Sequence, residues 1–293
     1  MTEKPTVALL GTGIMGTGMG HNILAAGLPL RVWNRSADKA RPLAAAGAVL
    51  AADPADAVRG ADVVVTMLGD GTHVADVMAQ AADGLAAGQV WAQMTTAGID
   101  QGDLLALAAQ HGLQFIDAPV SGTRQPAESG QLLVLAAGTP AALAVAQPVF
   151  DAVGRATNWV AESADGLAAS RLKLVMNSWV LALTAGGAEA LALAKGLGVD
   201  PKAFLDAVAG GPLDSGYLQV KAAAMLAEDW TPNFSVSNAA KDGDLIVAAG
   251  KASGVLLDVA AAAAARNHRA AAAGHGEYDM AATYLASFDH AKE

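Results

Sequence analysis

The sequence predicts an α/β protein: a doubly wound N-terminal domain followed by an all-helical C-terminal domain, with a long helix joining them. Three observations carry this. Short apolar strands alternate with helical stretches through the first half, a glycine-rich turn closes the first strand, and no convincing strand follows Val160.

The strand candidates are Val7–Leu10, Leu30–Trp33, Val63–Leu68, Val90–Met94, Gln114–Asp117 and Leu132–Leu135. Most are continuous apolar runs rather than alternating ones. Such runs are buried on both faces, which is the signature of a largely parallel sheet covered by helices. Helices between successive strands make βαβ units. Beyond Val160 the spacing predicts one helix from about Ser163 to Lys195, roughly 45 Å long at 1.5 Å per residue. It holds Gly186 and Gly187 and stops at Gly196-Leu197-Gly198. Further helices are expected over 201–209, 215–228, 236–250 and 254–273. The alanine-rich stretch in the last of these reads as helix, because Val255, Leu256 and Val259 lead into it. The expected domains are therefore 1–162 and 163–293.

Composition narrows the function. The chain has 293 residues, 53% hydrophobic and 16% charged, with a net charge of −10. That balance argues against a nucleic-acid surface. There is no cysteine, and six histidines are scattered without ligand spacing, so neither thiolate chemistry nor a metal site is expected. The start Met1-Thr2-Glu3-Lys4-Pro5 has no signal-peptide profile, and no run of about 18 uninterrupted apolar residues predicts a membrane span. The expectation is a cytoplasmic protein.

Gly11-Thr12-Gly13-Ile14-Met15-Gly16 fits the dinucleotide fingerprint in its required context, after a strand and before a helix. The first glycine makes the turn, the second admits a pyrophosphate and the third lets helix and strand pack closely. The phosphates then rest on the helix N-terminus. The alternative is a plain glycine turn. An NAD site wants an acidic residue about 20 residues on, at the end of the second strand. Here Asn34-Arg35-Ser36 occupies that place, with no carboxylate before Asp38. A guanidinium clasps a 2′-phosphate that a carboxylate would repel, so NADP is favoured, with NAD still possible. Arg35 as a solvated loop residue is the competing view. Met67-Leu68 with the following Gly69-Asp70-Gly71, and Thr95-Thr96, lie at strand ends where ligands of open sheets collect. Thr96 is a candidate for the nicotinamide ribose or amide.

Lys173 and Asn177 stand four residues apart in the oily run Leu172–Leu181. On a helix they share a face. A helix apolar all round is buried, and burial lowers a lysine pKa toward useful values. Lys173 is thus a candidate proton donor. The bland alternative is a lysine snorkelling to water. A second segment, Asp117-Ala118-Pro119-Val120-Ser121-Gly122, follows a strand and offers a hydroxyl and an open amide.

With Lys173–Asn177 and Lys241-Asp242, these motifs run in order across most of the chain. Together they resemble the β-hydroxyacid dehydrogenase family, which includes 3-hydroxyisobutyrate dehydrogenases, tartronate semialdehyde reductases and glyoxylate/succinic semialdehyde reductases. The resemblance implies an N-terminal Rossmann domain, a helical second domain and a long helix between them. It implies Lys173 as catalytic acid/base, Ser121, Gly122 and Asn177 as substrate ligands, and Lys241, after Phe234, reaching toward cofactor and substrate. Thr123 replaces the more usual second glycine of Ser-Gly-Gly. That resembles the glyoxylate/succinic semialdehyde branch, whose members often prefer NADP, and it adds a side chain beside the substrate.

The reaction implied is hydride transfer between nicotinamide and a small aldehyde, keto or hydroxy acid. A protonated Lys173 would stabilise the nascent alkoxide and deliver the proton. Its free pKa of about 10.4 makes it a weak acid at neutral pH. The apolar helix and a cationic neighbour such as Lys241 are the expected means of lowering it. Two rivals remain: an imine reductase or reductive aminase on the same fold, and a non-catalytic NADP-binding regulatory protein. The apolar faces of the helical half predict a homodimer or homotetramer.

Overall fold

The computed structural model describes residues 4–288. Met1–Glu3 and His290 lie outside them. The chain forms two compact units, Met1–Lys173 and Leu174–Glu293.

The first unit holds a nine-stranded sheet. Its strands are β1 (Val7–Leu10), β2 (Leu30–Trp33), β3 (Val49–Leu50), β4 (Val63–Thr66), β5 (Val90–Gln93), β6 (Gln114–Asp117), β7 (Val120–Ser121), β8 (Leu132–Ala137) and β9 (Gly154–Ala161). The first six are all parallel, in the order β3-β2-β1-β4-β5-β6. β8 adds antiparallel to β6, with β7 antiparallel and β9 parallel to it. This is the doubly wound order with its reversal between β1 and β4.

Alternation along each strand explains why both faces are buried. Val7, Leu9, Val63, Val65, Val90, Ala92 and Ile116 enter one core cluster. Ala8, Leu10, Val64 and Trp91 enter the other, with Phe115 packed against it. Successive side chains of a strand point to opposite faces, so a continuous apolar run needs helices on both sides. Trp91 is fully buried, meets the Phe115 ring edge-on at 5.0 Å and donates its indole N–H to Thr66 Oγ1 at 3.0 Å. Such an aromatic pair contributes about 0.5–1.5 kcal/mol beyond its buried area.

Three strands were not foreseen. β3 and β7 span two residues each, too few for a periodic signal. β9 reads Gly-Arg-Ala-Thr-Asn-Trp-Val-Ala and stays half exposed, so it lacks the apolar run that marks the others. The long helix also starts later than expected, at Ala168 rather than near Ser163. Ser163 Oγ instead bonds Asp165 Oδ2 at 3.0 Å and Asp165 N–H at 3.2 Å, and Leu167 takes a left-handed φ of +49°. Short polar side chains that bond locally compete with helix.

The second unit is helical: the remainder of Ala168–Gly196, then Pro201–Val208, Gly216–Ala227, Val236–Ala252, Asp258–Ala270 and Met280–Ser287. The last was not predicted. The alanine-rich helix is real, but its buried face is Ala260, Ala263, Ala264, Arg266, Asn267 and Ala270, while Val255, Leu256 and Val259 are exposed. The alanines buy close approach. A Cβ on Gly243 of the neighbouring helix would sit 2.8 Å from Ala264 Cβ. Ala168–Gly196 is long and apolar enough to cross a membrane by length and composition. In its own unit it serves as a core helix, with Ala188 and Leu191 packed beside Ala222, Met225, Ala281 and Tyr284.

Candidate active site

One row across the sheet organises the first unit. Leu10 is in register with Trp33 on one side and Thr66 on the other, Thr66 with Gln93, and Gln93 with Asp117. The glycine turn, Asn34–Ser36, Met67-Leu68 and Thr96 follow that row, at the carboxyl ends of parallel strands.

After β1, Gly11 adopts φ +108°, and a Cβ there would meet Met67 O at 2.2 Å. A Cβ on Gly16 would sit 2.0 Å from Gly11 O, so the helix Ile14–Ala25 can approach the strand only without one. Gly13 is different: nothing lies within 4 Å of its Cβ position. The protein does not need glycine there, so the open space suits a ligand drawn close to the backbone. No side chain caps this helix and no acidic residue stands in its first turn. Its leading N–H groups and positive dipole end suit a pyrophosphate. The residues present therefore fit a dinucleotide.

Thr12 is nearly fully buried and its N–H donates to Asn34 Oδ1 at 3.0 Å. Asn34 Nδ2 donates to Ser36 O at 3.0 Å. Asn34 thus staples the β2 exit to the glycine turn. Arg35 and Ser36 are exposed beside it. The first carboxylate after β2, Asp38, is engaged by Arg41 at 3.1 Å. Met67 and Leu68 are half-buried at the β4 exit, and Leu68 N–H donates to Thr95 Oγ1 at 2.9 Å. Thr96 follows, also half-buried. Ile14 and Met15 open the first helix.

Ser121 ends β7, and Gly122 has φ +139°, where a Cβ would also meet Leu132 Cδ2 at 2.6 Å. Thr123 has φ −124°, an extended backbone that any residue adopts. Glycine is thus required at 122 and dispensable at 123.

Sequence reasoning grouped Asp117 with the substrate segment. Its carboxylate instead faces the long helix: Oδ2 accepts the Ser170 N–H at 2.9 Å and Oδ1 the Ser170 hydroxyl at 2.6 Å. Burial pushes the Asp117 carboxyl above the usual carboxylate range, opposed by the hydrogen bonds from Ser170 and the Ala169 N–H. Lys173 lies three residues on and is 7% exposed.

In the second unit Asn177 is equally buried, and its Nδ2 donates to Asp242 Oδ2 at 2.6 Å. Lys241 Nζ stands 2.9 Å from Asp242 Oδ1, close enough for attraction but off the hydrogen-bond direction. Asp242 therefore gathers Asn177 and Lys241. Phe234 is placed separately: Asp279 Oδ2 accepts the N–H groups of Asn233 at 3.0 Å and Phe234 at 3.2 Å, while Asp279 Oδ1 pairs with Lys221 Nζ at 2.6 Å.

The family model for the NAD-binding domain of 6-phosphogluconate dehydrogenase matches residues 6–161. The model for the NAD-binding part of NADP-dependent 3-hydroxyisobutyrate dehydrogenase matches residues 168–286. The chain belongs to the 3-hydroxyisobutyrate dehydrogenase-like family of NAD(P)-dependent oxidoreductases. Within this β-hydroxyacid dehydrogenase family it is 30% identical to glyoxylate/succinic semialdehyde reductase 2 of Arabidopsis thaliana, over 88% of this chain and 72% of that protein. It is also 30% identical to the human cytokine-like nuclear factor N-PAC, over 97% of this chain but only 52% of that protein. Among solved structures, the 3-hydroxyisobutyrate dehydrogenase of Salmonella typhimurium superposes with a TM-score of 0.87, at 26% identity over 96% and 99% of the two chains. The family's Rossmann domain and helical domain are both present.

Proposed function

We propose that the protein is an NADPH-dependent reductase of small aldehyde or keto acids, of the glyoxylate or succinic semialdehyde type, with Lys173 as general acid. The observation that carries this reading is the buried lysine on a helix whose first turn is bonded to the carboxyl end of β6, on the same sheet whose β1 leads into the glycine turn. The semialdehyde reductase relative supports the substrate class.

The nicotinamide, when bound, supplies the hydride. Gly11, Thr12, Gly13, Ile14, Met15 and Gly16 would hold the pyrophosphate. Asn34, Arg35 and Ser36 would meet the 2′-phosphate, a role favoured by the pairing of Asp38 with Arg41. Met67, Leu68, Thr96, Phe234 and Lys241 would supply the remaining cofactor contacts. Ser121, Gly122 and Thr123 would receive the substrate carboxylate. Asn177, with one amide hydrogen held by Asp242, would present its oxygen to a substrate hydroxyl. Lys173 would donate its proton to the carbonyl oxygen as charge grows there, and take it back in oxidation. The exposed Val175, Trp179, Leu193 and Leu197 along the long helix support assembly with a second copy.

Removing a general acid costs roughly 10²- to 10⁴-fold in rate. Lys173→Ala is expected to lose turnover on that scale in an NADPH-oxidation assay with glyoxylate and succinic semialdehyde, with NADPH binding kept. Undiminished turnover would end this reading. Turnover by the native protein of a cyclic imine alone would reassign the substrate class, and NADPH binding without any turnover would favour a regulatory role. Hydrogen bonds to a charged group contribute about 1.5–3 kcal/mol. Arg35→Ala should therefore weaken NADPH by roughly 10- to 100-fold and leave NADH almost unchanged. Equal losses in paired fluorescence titrations would remove Arg35 from the 2′-phosphate.

A further inference from the structure

A buried polar chain crosses the carboxyl edge of the sheet in the first unit. Gln93 Nε2 donates to Thr95 O at 3.0 Å and to Gln101 Oε1 at 3.2 Å. Gln101 Nε2 donates to Gly98 O at 2.8 Å and to Ser170 Oγ at 2.9 Å. Ser170 passes its own hydroxyl hydrogen to Asp117 at 2.6 Å. Gln93 Oε1 accepts the Thr95 N–H at 2.7 Å. Each amide has two hydrogens, and both are spoken for in each glutamine. The chain therefore runs one way, from Gln93 to Gln101 to Ser170 to Asp117, and the second hydrogen of each glutamine is held by a backbone carbonyl.

Asp117 is the terminal acceptor and is 0% exposed, so it cannot touch a substrate. Both of its oxygens are spent on the first turn of the helix that carries Lys173. Ser170 and Lys173 are three residues apart, neighbours on one helix face.

We propose that Asp117, through Ser170 and the Gln93–Gln101 chain, is a positioning residue for Lys173. It fixes the register of the long helix against the ends of β5 and β6, and so fixes where the ammonium is delivered. The same chain begins at Thr95, which also holds the Leu68 N–H at the β4 exit. One set of bonds thereby ties the lysine to strand ends assigned to the cofactor. The proposal rests on the reading of Lys173 as general acid.

The test uses the full chain with NADPH and glyoxylate, comparing Ser170→Ala, Ser170→Thr and Asp117→Asn. A reacting group displaced by about 1 Å can cost 10²-fold. Ser170→Ala and Asp117→Asn should lower kcat by roughly 10- to 100-fold, with NADPH affinity held within about twofold. The apparent pKa in their kcat–pH profile should move, and Ser170→Thr, which keeps the hydroxyl, should restore both. In a Lys173→Ala background Ser170→Ala should add no further loss, because both act through one group. A Ser170→Ala protein with native kcat and an unmoved profile, whatever its melting temperature, would overturn the clamp while leaving Lys173 in place. A further full loss in the double variant would overturn it too. A fully active Lys173→Ala would instead sink the reading beneath, since no lysine would then need placing. Should Asp117→Asn fail to fold, the two Ser170 variants decide the matter alone.

Discussion

The two units bury polar groups in different ways. In Met1–Lys173 the buried polar groups are mostly neutral amides and hydroxyls, Thr66, Gln93, Thr95, Gln101 and Ser170, ending on one carboxylate. In Leu174–Glu293 buried charge meets opposite charge across distant segments: Lys221 with the buried Asp279, and Arg266 with the exposed Glu189. Strand ends expose backbone N–H and C=O groups in a fixed row, and neutral side chains can be threaded between them. A helical unit keeps its backbone groups to itself. Its loops must be fastened by side chains that carry more force, and ion pairs supply it. The first arrangement favours precise placement. The second ties distant segments together at the risk of a large penalty when one partner is lost.

That contrast predicts its largest effect at Lys221. The pair is almost fully buried, and Asp279 also holds Asn233 and Phe234. Deleting one member of a buried pair costs about 3–5 kcal/mol. Lys221→Ala should lose stability on that scale in urea unfolding. A loss under about 1 kcal/mol would mean the pair behaves like a surface one and would erase the contrast.

A smaller effect separates folding from binding within the first unit. Gly16→Ala places a methyl 2.0 Å from Gly11 O, a backbone atom that cannot swing aside. Overpacking of this kind costs typically about 1–3 kcal/mol, so melting temperature and NADPH affinity should fall together. Gly13→Ala meets nothing within 4 Å and has an ordinary φ of −72°. Its stability should stay within about 0.5 kcal/mol of native, while NADPH binding weakens because the methyl fills the cradle. Thermal melts without cofactor, paired with fluorescence titrations, check this. Native NADPH affinity in Gly13→Ala would show that no phosphate approaches that residue.

How much of this was legible in sequence followed the same divide. β1, β4 and β5 announced themselves because burial on both faces favours apolar runs, β2 and β6 more weakly because each carries polar residues, and the two-residue β3 not at all. The fingerprint was legible because its spacing after a strand is specific: Gly11 and Gly16 answer steric demands of the turn, while Gly13 leaves open space above the backbone. β9 was hidden by its half-exposed, polar composition. The role of Asp117 was hidden for another reason. It depends on Ser170, 53 residues away, and no local pattern links the two. Ser170 itself left only a faint signal, a small polar residue one turn before a lysine. Asp242 was visible beside Lys241 in sequence, but its hold on Asn177 spans 65 residues. Long-range polar partners leave no period to read.

The smallest predicted effect concerns Asp117 and pH. Its folded-state pKa is raised by burial above the ordinary 3.8. A raised carboxyl binds its proton more tightly folded than unfolded. The stability this confers is complete below the unfolded pKa and is lost as pH rises through the folded one. Above both values the ionised group sits buried at a cost, offset in part by the Ser170 and Ala169 hydrogen bonds. Asp117→Asn does not titrate and lacks this dependence. The stability advantage of the native protein over the variant should therefore be greatest below the ordinary 3.8 and shrink as pH rises through the raised value. Urea midpoints for both proteins across that range measure the gap, and subtraction cancels every other carboxylate they share. A gap that widened with rising pH would mean that hydrogen bonding, not desolvation, governs the Asp117 carboxyl.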